Sequence, residues 1–226
     1  MNSTAKIWDE IYKNGNWMQY PCEYFVRLLR RTEDRYGIKG VTLDHGCGSG
    51  NNAECLYNSN HEVICSEVSS SALEVTRKRL LKAGQSNPSC TLIDPTLSLP
   101  SQLPKYDNVI CWQSLCYSTE KAMAQSIAQL IDGISEEGFF WLATPTKNDL
   151  LFRGCKPGPG PTRVLGSKAG VQEGATMTIF DEIAHIERMF LGMEILDVGT
   201  YGMTIEGCQL EYIVVNARKN KKLVGV

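Results

Sequence analysis

The sequence lacks long apolar runs and any large excess of one charge. No stretch approaches the length of a membrane span, and the first ten residues hold no apolar signal core. Lysine and arginine number 23 against 25 aspartate and glutamate, for a formal net charge of −2. Such a balance creates no overall field for nucleic acid or an anionic membrane. We therefore expect a cytoplasmic protein with no nucleic-acid partner and no membrane partner.

Cysteine is not scarce, but the patterns of structural cysteine sites are missing. The nine cysteines are odd in number, and no C-x-x-C pair occurs. Disulfide frameworks in small secreted domains use even numbers, and structural zinc sites use closely spaced pairs. We therefore expect reduced, mostly buried thiols, with no disulfide framework and no metal site.

The strongest local signal lies between residues 41 and 52. A short apolar run meets Asp44, and glycines follow at alternate positions: Gly46, Gly48 and Gly50. A strand, a tight glycine turn and a helix bring backbone N–H groups close to a ligand. The third glycine comes one residue too early for the dinucleotide fingerprint G-x-G-x-x-G, and the absence of Gly-Lys-Ser/Thr excludes a P-loop. Alone, such a triplet could also be an ordinary strand-to-helix turn.

A second acid strengthens this signal. Glu67 ends the next apolar run, 21 positions after Gly46. A carboxylate at the tip of such a strand can accept hydrogen bonds from both hydroxyl groups of an adenosine ribose. Glu67 by itself could be a solvated strand-end acid. The order of strand, glycine loop, helix and acidic strand tip is much rarer by chance.

The segment Asp44-x-Gly-x-Gly-x-Gly resembles the (D/E)-x-G-x-G-x-G motif of class I S-adenosylmethionine-dependent methyltransferases. The segment 106–117 resembles this family's fourth strand and the loop beyond it. The resemblance implies a Rossmann-like, doubly wound α/β fold: a mostly parallel seven-stranded sheet with helices on both faces and an antiparallel last strand. It also implies S-adenosylmethionine as cofactor, with Asp94 matching the acid that recognises adenine. The residues expected to bind the cofactor are Asp44, Gly46, Cys47, Gly48, Gly50, Glu67, Val68, Asp94, Pro95, Trp112 and Gln113.

With 226 residues the chain has room for one α/β domain and a cap, not for two full domains. We predict a helical cap over 1–40, an S-adenosylmethionine-binding domain over 41–218 and a tail over 219–226. Residues 145–176 carry five basic and two acidic side chains, and the Pro- and Gly-rich stretch 156–162 is expected to lack regular structure. This segment is either a substrate lid or a basic surface loop.

Aromatic residues near the N-terminus form a further pattern. Trp8 and Tyr12 stand four residues apart, and Tyr20 precedes a proline. The pattern resembles the N-terminal cap of many small-molecule methyltransferases, in which aromatics cover the methionine end of the cofactor or the acceptor. Alternatively, these rings pack two short helices onto the domain. The residues expected at the acceptor are Trp8, Trp17, Tyr20, Ser114, Arg153 and Arg163.

No residue stands out as a general base. One is needed only if the acceptor is still protonated at neutral pH. Tyr117 and Tyr12 are the best placed by topology, although either could simply orient the acceptor. His185 qualifies only if its helix borders the pocket, and His45 is expected to pack near the cofactor.

The absence of certain motifs narrows the range of acceptor molecules. The fourth strand is not followed by the (D/N)-P-P-(Y/F) of adenine- and cytosine-amino methyltransferases, nor by a Pro-Cys pair suited to carbon-5 pyrimidine chemistry, and no clear acidic set occurs. We expect a small molecule such as a sugar, a phosphorylated precursor or a secondary-metabolite precursor, anionic if Arg153 and Arg163 contact it. A protein or nucleic-acid methyltransferase and a non-catalytic cofactor-binding module stay open, as does a homodimer. The sequence does not determine whether O, N or C is methylated.

Overall fold

The computed structural model describes residues 3–180, 182–205 and 207–221. Its α-helices are α1 (Ser3–Lys13), α2 (Glu23–Tyr36), α3 (Asn51–Asn58), α4 (Ser70–Ala83), α5 (Glu120–Gly133) and α6 (Ile183–Glu187). Its strands are β1 (Val41–His45), β2 (Glu62–Glu67), β3 (Ser89–Leu92), β4 (Asn108–Trp112), β5 (Phe139–Pro145), β6 (Lys156–Pro157), β7 (Thr162–Val164), β8 (Thr176–Thr178), β9 (Met193–Ile205) and β10 (Cys208–Lys219). Within these residues, no helix is both long and apolar enough to cross a membrane.

The main sheet has seven strands in the order β3-β2-β1-β4-β5-β10-β9. Strands β1 to β5 are parallel to one another, and β10 runs antiparallel between β5 and β9. The predicted doubly wound, mostly parallel sheet with an antiparallel last strand is therefore confirmed. Lys219, which we assigned to a tail, belongs to β10, and its Nζ donates to the carbonyl oxygens of Ile131 and Ile134 at 2.7 Å.

Apolar side chains cover both faces of this sheet. On one face, α5 packs through Met123, Ile127 and Leu130 against the sheet core. On the other face, α2, α3 and α4 pack through residues such as Phe25 and Leu56. Central strands of such a sheet are buried on both sides, which explains why β4 and β5 are buried throughout. The strand order reverses between β1 and β4, where open α/β sheets form their ligand crevice.

Residues 145–176 form more regular structure than their composition predicted. Strands β6, β7 and β8 pair antiparallel in a small separate sheet. The stretch 156–162, expected to be irregular, supplies β6 and the first residue of β7. After this small sheet, which Thr178 ends, α6 is short and spans only Ile183–Glu187. Whether the segment is a functional lid remains a prediction.

Candidate active site

The glycine turn after β1 is held by hydrogen bonds from its own backbone. The amides of Gly46 and Cys47 donate to the carbonyl oxygen of Ser66 at 2.7 and 3.2 Å. Gly46 has φ +71° and Gly48 has φ +54°, values that favour glycine. A Cβ at Gly46 would collide with Ser114, and a Cβ at Gly48 would collide with the Tyr12 hydroxyl. The turn is therefore closely covered by two side chains from other elements.

The side chain of Glu67 fastens the tip of β2 to this turn. Its carboxylate accepts from the amides of Gly48 at 3.0 Å, Val68 at 2.6 Å and Ser69 at 3.2 Å. Burial raises the pKa of Glu67, and these three amide bonds act in the opposite direction. Because a carboxylate has roughly four acceptor positions, about one is left for a ligand. Glu67 also lines the first of two cavities, where a ribose could reach it.

This first cavity, which we call the cofactor cavity, has a volume of about 280 Å³. Its lining contains polar groups, among them Glu67 and Ser114, and a set of apolar side chains. The apolar lining includes Val68, Ile93, Pro95, Leu99, Leu115 and Ala122. A carboxylate together with apolar side chains fits a nucleoside, because its ribose is polar and the faces of its base are largely apolar.

A larger cavity of about 810 Å³ adjoins it, which we call the acceptor cavity. The two share Trp8, Tyr12, Gly46, Gln113 and Tyr117 in their lining. Predicted residues that line the acceptor cavity are Trp8, Tyr12, Trp17, Gly46, Cys47, Gly48, Trp112, Gln113 and Tyr117. Residues that sequence reasoning missed include Tyr24, Tyr201, Met203, Leu210 and Tyr212.

Asp44 and Gly50 support the turn from beneath rather than lining either cavity. Gly50 precedes α3 and lies against Thr76 of α4. Asp44 is 1% exposed, and among the described residues its Oδ2 has no hydrogen-bond partner. Burial and, secondarily, the charge of Glu67 raise the pKa of Asp44 to about 7. A positively charged ligand at the turn would favour its ionised form.

Five further predicted site residues do not line these cavities. Asp94 is exposed and accepts from the amide and hydroxyl of Thr96 at 2.9 and 2.6 Å, because β3 ends two residues earlier and the chain turns there. Its neighbours Ile93 and Pro95 face the cofactor cavity instead. Tyr20 is 80% exposed and lines only a shallow surface groove.

The other three of these residues belong to the basic segment and to α6. Arg163 donates to the carbonyl oxygens of Gly160 and Thr162, both at 2.8 Å, and Arg153 is exposed away from both cavities. His185 qualified as a base only if its helix bordered the pocket, and it lines neither cavity. His185 contacts Glu120, because α6 packs against the sheet face that carries α5.

The remaining candidates sit at the junction of the cavities. Burial raises the pKa values of both the Tyr12 and Tyr117 phenols well above the usual value. Both therefore stay protonated at neutral pH and can donate a hydrogen bond, but cannot serve there as phenolate bases. Tyr117 donates to Gln172 Oε1 at 2.9 Å, and its ring meets the edge of Trp8 with centroids 4.6 Å apart.

His45 and Ser114 lie on the cofactor side of this junction. His45 Nδ1 is 2.8 Å from Ser66 Oγ, and burial lowers its pKa to about 4, so the ring is neutral at physiological pH. Ser114 donates to the His45 carbonyl oxygen at 2.8 Å while covering Gly46. Ser114 therefore supports the turn, in addition to any contact with a ligand.

A glycine turn beside an acidic strand tip, at the reversal point of a sheet with this strand order, defines the class I methyltransferases that use S-adenosylmethionine. Residues 42–138 match the sequence model of a family described as "Methyltransferase domain". This match, together with the strand order, identifies a methyltransferase domain with the class I fold in this part of the chain. No curated protein matches the chain in sequence.

Solved structures share this fold at low sequence identity. The N-methyltransferase NodS from Bradyrhizobium japonicum, in complex with S-adenosyl-L-homocysteine, has a TM-score of 0.68 and 14% identity, over 97% of this chain and 100% of that chain. The 1,6-didemethyltoxoflavin-N1-methyltransferase from Burkholderia thailandensis has a TM-score of 0.68 and 16% identity, over 96% and 87%. An S-adenosylmethionine-dependent methyltransferase from Clostridium acetobutylicum has a TM-score of 0.65 and 15% identity, over 96% and 98%.

Proposed function

We propose that the protein transfers a methyl group from S-adenosylmethionine to a small molecule held in the acceptor cavity. The observation that carries this proposal is the shared lining of the two cavities. Trp8, Tyr12 and Tyr117 border both, so a donor at the glycine turn and an acceptor in the larger cavity would meet there. Holding two reactants in this way can lower a barrier by roughly 7–11 kcal/mol.

The chain's own residues fit this cofactor. Glu67 would accept from a ribose hydroxyl, the apolar side chains of Val68, Ile93 and Pro95 would enclose the adenine, and the turn at Gly48 would hold the amino-acid end. When bound, S-adenosylmethionine supplies a methyl group on positively charged sulfur. Asp44, a buried carboxylate with an unpartnered oxygen beneath the turn, would stabilise that charge through space.

We infer that α1 and residues 145–176 together close the site. The amide of Thr176 donates to Thr4 Oγ1 at 3.0 Å, and Gln172 bonds Tyr117. Ile7 of α1 packs against the apolar cluster beneath this segment. Leu151, Val171 and Gln172 line the acceptor cavity. An enclosed cavity of this kind favours a small molecule over a protein or nucleic-acid acceptor, although these alternatives enter the test below.

One comparison agrees with a small acceptor. The Burkholderia thailandensis enzyme was solved with bound 1,6-didemethyltoxoflavin and S-adenosylhomocysteine. The expected anionic acceptor gains no such support, because Arg153 and Arg163 lie outside the cavity lining. We therefore leave a negative charge on the acceptor out of this proposal.

The cytoplasm remains the location that we propose. The described cysteine side chains are all free thiols, as expected in a reducing compartment. A homodimer remains compatible with the chain. Sedimentation at several protein concentrations would decide between a monomer and a dimer.

The first experiment measures cofactor binding by calorimetry. We expect wild type to bind S-adenosylmethionine and S-adenosylhomocysteine but not NAD. Glu67→Ala should weaken binding strongly, because it removes the ribose acceptor and leaves three backbone amides without a partner, each at about 1–3 kcal/mol. Glu74→Ala, on the exposed side of α4, is the control and should bind normally. Wild-type affinity in Glu67→Ala would defeat the cofactor assignment.

The second experiment follows labelled methyl groups into three fractions of a cell extract: metabolites, proteins and RNA. Label in the metabolite fraction supports a small acceptor. Label confined to protein or RNA would instead identify a macromolecular methyltransferase. Cofactor binding without label in any fraction would favour a non-catalytic cofactor-binding module.

A further inference from the structure

Eight aromatic residues line the acceptor cavity. The aromatic residues in its lining are Trp8, Tyr12, Trp17, Tyr24, Trp112, Tyr117, Tyr201 and Tyr212. Tyr201 of β9 lies at the centre of one group of nearly parallel rings. It stacks on Tyr24 with centroids 4.1 Å apart at 23°, on Tyr212 at 5.2 Å and 26°, and near Trp112 at 6.1 Å and 16°. Such walls favour a flat ligand that stacks on them.

Positive side chains are missing from this lining. Among the described residues, no lysine, arginine or histidine lines the acceptor cavity. The one charged residue there is Glu23, which is exposed and paired with Arg27 at 2.7 Å. A carboxylate or phosphate ligand would lose its hydration without gaining a cation, which is unfavourable. The lining therefore selects against a negatively charged acceptor.

A donor without a partner points to the polar character of the ligand. Trp112 lines the cavity and is 7% exposed, yet its indole N–H has no hydrogen-bond partner among the described residues. Gln113 is held beside it by Nε2 donating to the Tyr201 hydroxyl at 3.3 Å. Buried donors are normally bonded, so a heteroatom acceptor on the ligand would satisfy Trp112.

Among the described residues, this lining contains no histidine, no lysine and no unpaired carboxylate that could remove a proton. Burial raises the pKa values of Tyr12, Tyr117, Tyr201 and Tyr212, which stay protonated at neutral pH. Glu23 is occupied at the surface by Arg27. An alcohol would need its proton removed for efficient attack, whereas a ring nitrogen already has a free lone pair. Nitrogen is therefore the atom that this cavity suits.

We infer that the acceptor is an uncharged, planar heteroaromatic molecule that is methylated on a nitrogen lone pair. This rests on the proposed function and names its substrate class. The acceptor nitrogen forms a bond to the methyl carbon while the carbon–sulfur bond breaks and its electron pair stays on sulfur. The positive charge passes from the sulfonium to the methylated ring. Aromatic walls stabilise such a cation through their ring faces.

The test uses three probes of the same two-ring shape: phthalazine, naphthalene and phthalazine-1-carboxylate. Binding to the full chain is followed by ligand-observed NMR in the presence of S-adenosylhomocysteine. We expect phthalazine to bind most tightly, the carboxylate at least about tenfold more weakly for want of a cation, and naphthalene in between. Labelled S-adenosylmethionine should then yield N-methylphthalazinium, and 1-naphthalenemethanol should not be methylated.

Two variants and matched controls locate the site. Tyr24→Ala removes a stacking ring and should weaken phthalazine binding about three- to tenfold. Tyr20→Ala removes a nearby exposed ring outside the cavity and should change nothing. Trp112→Phe keeps a ring but removes the N–H, so it should weaken phthalazine and leave naphthalene unchanged.

Three results would overturn the inference: the carboxylate binding as tightly as phthalazine, Tyr24→Ala and Tyr20→Ala behaving alike, or no probe binding while S-adenosylhomocysteine binds. Failure of S-adenosylhomocysteine itself to bind would defeat the proposed function instead. The two failures are thus distinguishable within one titration series.

Discussion

At the scale of single residues, the Tyr12 side chain lies directly against the backbone of Gly48. The Tyr12 hydroxyl occupies the position that a Cβ at residue 48 would need. Tyr12 belongs to α1, whereas Gly48 belongs to the turn after β1, so this contact ties the N-terminal helix to the glycine turn. A glycine here serves two purposes: it accepts φ +54° and it leaves room for a tyrosine that borders both cavities.

This contact predicts a specific pattern of rescue. Gly48→Ala should lower the melting temperature and abolish cofactor binding, because it combines backbone strain of about 1–3 kcal/mol with a clash against Tyr12. Adding Tyr12→Phe removes the clashing hydroxyl and should restore part of the stability. The coupling in this double-mutant cycle should be about 0.5–3 kcal/mol.

The matched control for this cycle is Gly46→Ala. Gly46 also has positive φ, but its Cβ would meet Ser114 rather than Tyr12. Adding Tyr12→Phe to Gly46→Ala should therefore restore nothing. Equal recovery in the two double variants would show that the loss comes from backbone strain alone and not from the Tyr12 contact.

At the scale of elements, α1 and the small sheet β6–β8 depend on each other. The amide of Thr176 in β8 donates to Thr4 Oγ1, and Ile7 packs on the apolar cluster formed by residues such as Leu165 and Met177. Both elements also contribute to the site, since Thr4 lines the cofactor cavity. A substitution that weakens the packing of one element should therefore make the backbone amides of the other more accessible to solvent.

Hydrogen exchange can measure this dependence. Thr4→Val keeps the shape of the side chain but leaves the Thr176 amide without its acceptor, at a cost of about 1–3 kcal/mol. We expect exchange at Thr176 and its neighbours in β8 to accelerate about five- to 100-fold. Thr4→Ser retains the hydroxyl and should stay protected. Equal protection in both variants would contradict a role for this bond in closing the site.

The elements that sequence reasoning found are those with local signals. The glycine turn, Glu67 and the order of the parallel strands follow from patterns within a few residues. Strand β6 has no such signal, because Lys156 and Pro157 become a strand only by pairing with Val164 and Arg163. The five strand residues of the small sheet's two outer strands, β6 and β8, could not have been assigned from composition.

The missed site residues of β9 and β10 share one cause. Tyr201 and Tyr212 lie in a long hairpin, and they reach the cavity only because β10 inserts between β5 and β9. Nothing in their local sequence separates them from packing residues. Arg153 and Arg163 were expected at the acceptor but do not line its cavity. A basic side chain predicts exposure to solvent, but not which surface of the protein it lies on. Long-range strand pairing, not local pattern, decided the acceptor side of the site.

At the scale of the whole molecule, the buried side chains of Asp44 and His45 on β1 make opposite contributions to the pH dependence of stability. Asp44 has its pKa raised from 3.8 to about 7, chiefly by burial, and the Asp44 carboxyl therefore holds a proton that the unfolded chain loses. Its contribution to stability is largest near pH 4 and declines as pH rises towards 7. His45 has its pKa lowered from 6.5 to about 4 by burial. Its contribution is lost as pH falls from 6.5 towards 4.

Single substitutions should uncover these two opposite slopes. Asp44→Asn removes the aspartate contribution, which declines with pH in wild type. The free energy of unfolding of the variant minus that of wild type should therefore increase with pH between about 4 and 7. In His45→Gln it should instead decrease over the range from about 4 to 6.5. Each slope can reach about 1.4 kcal/mol per pH unit, and urea unfolding at several pH values measures it. Because other titrating groups are common to all three proteins, the differences from wild type isolate each residue. Parallel curves for the three proteins would mean that neither group keeps its buried protonation state in the fold.

A bound positively charged cofactor should favour the ionised form of Asp44, so in wild type it should stabilise the fold more at pH 7 than at pH 5. In Asp44→Asn that difference should disappear, which connects the charge beneath the turn to the ligand above it.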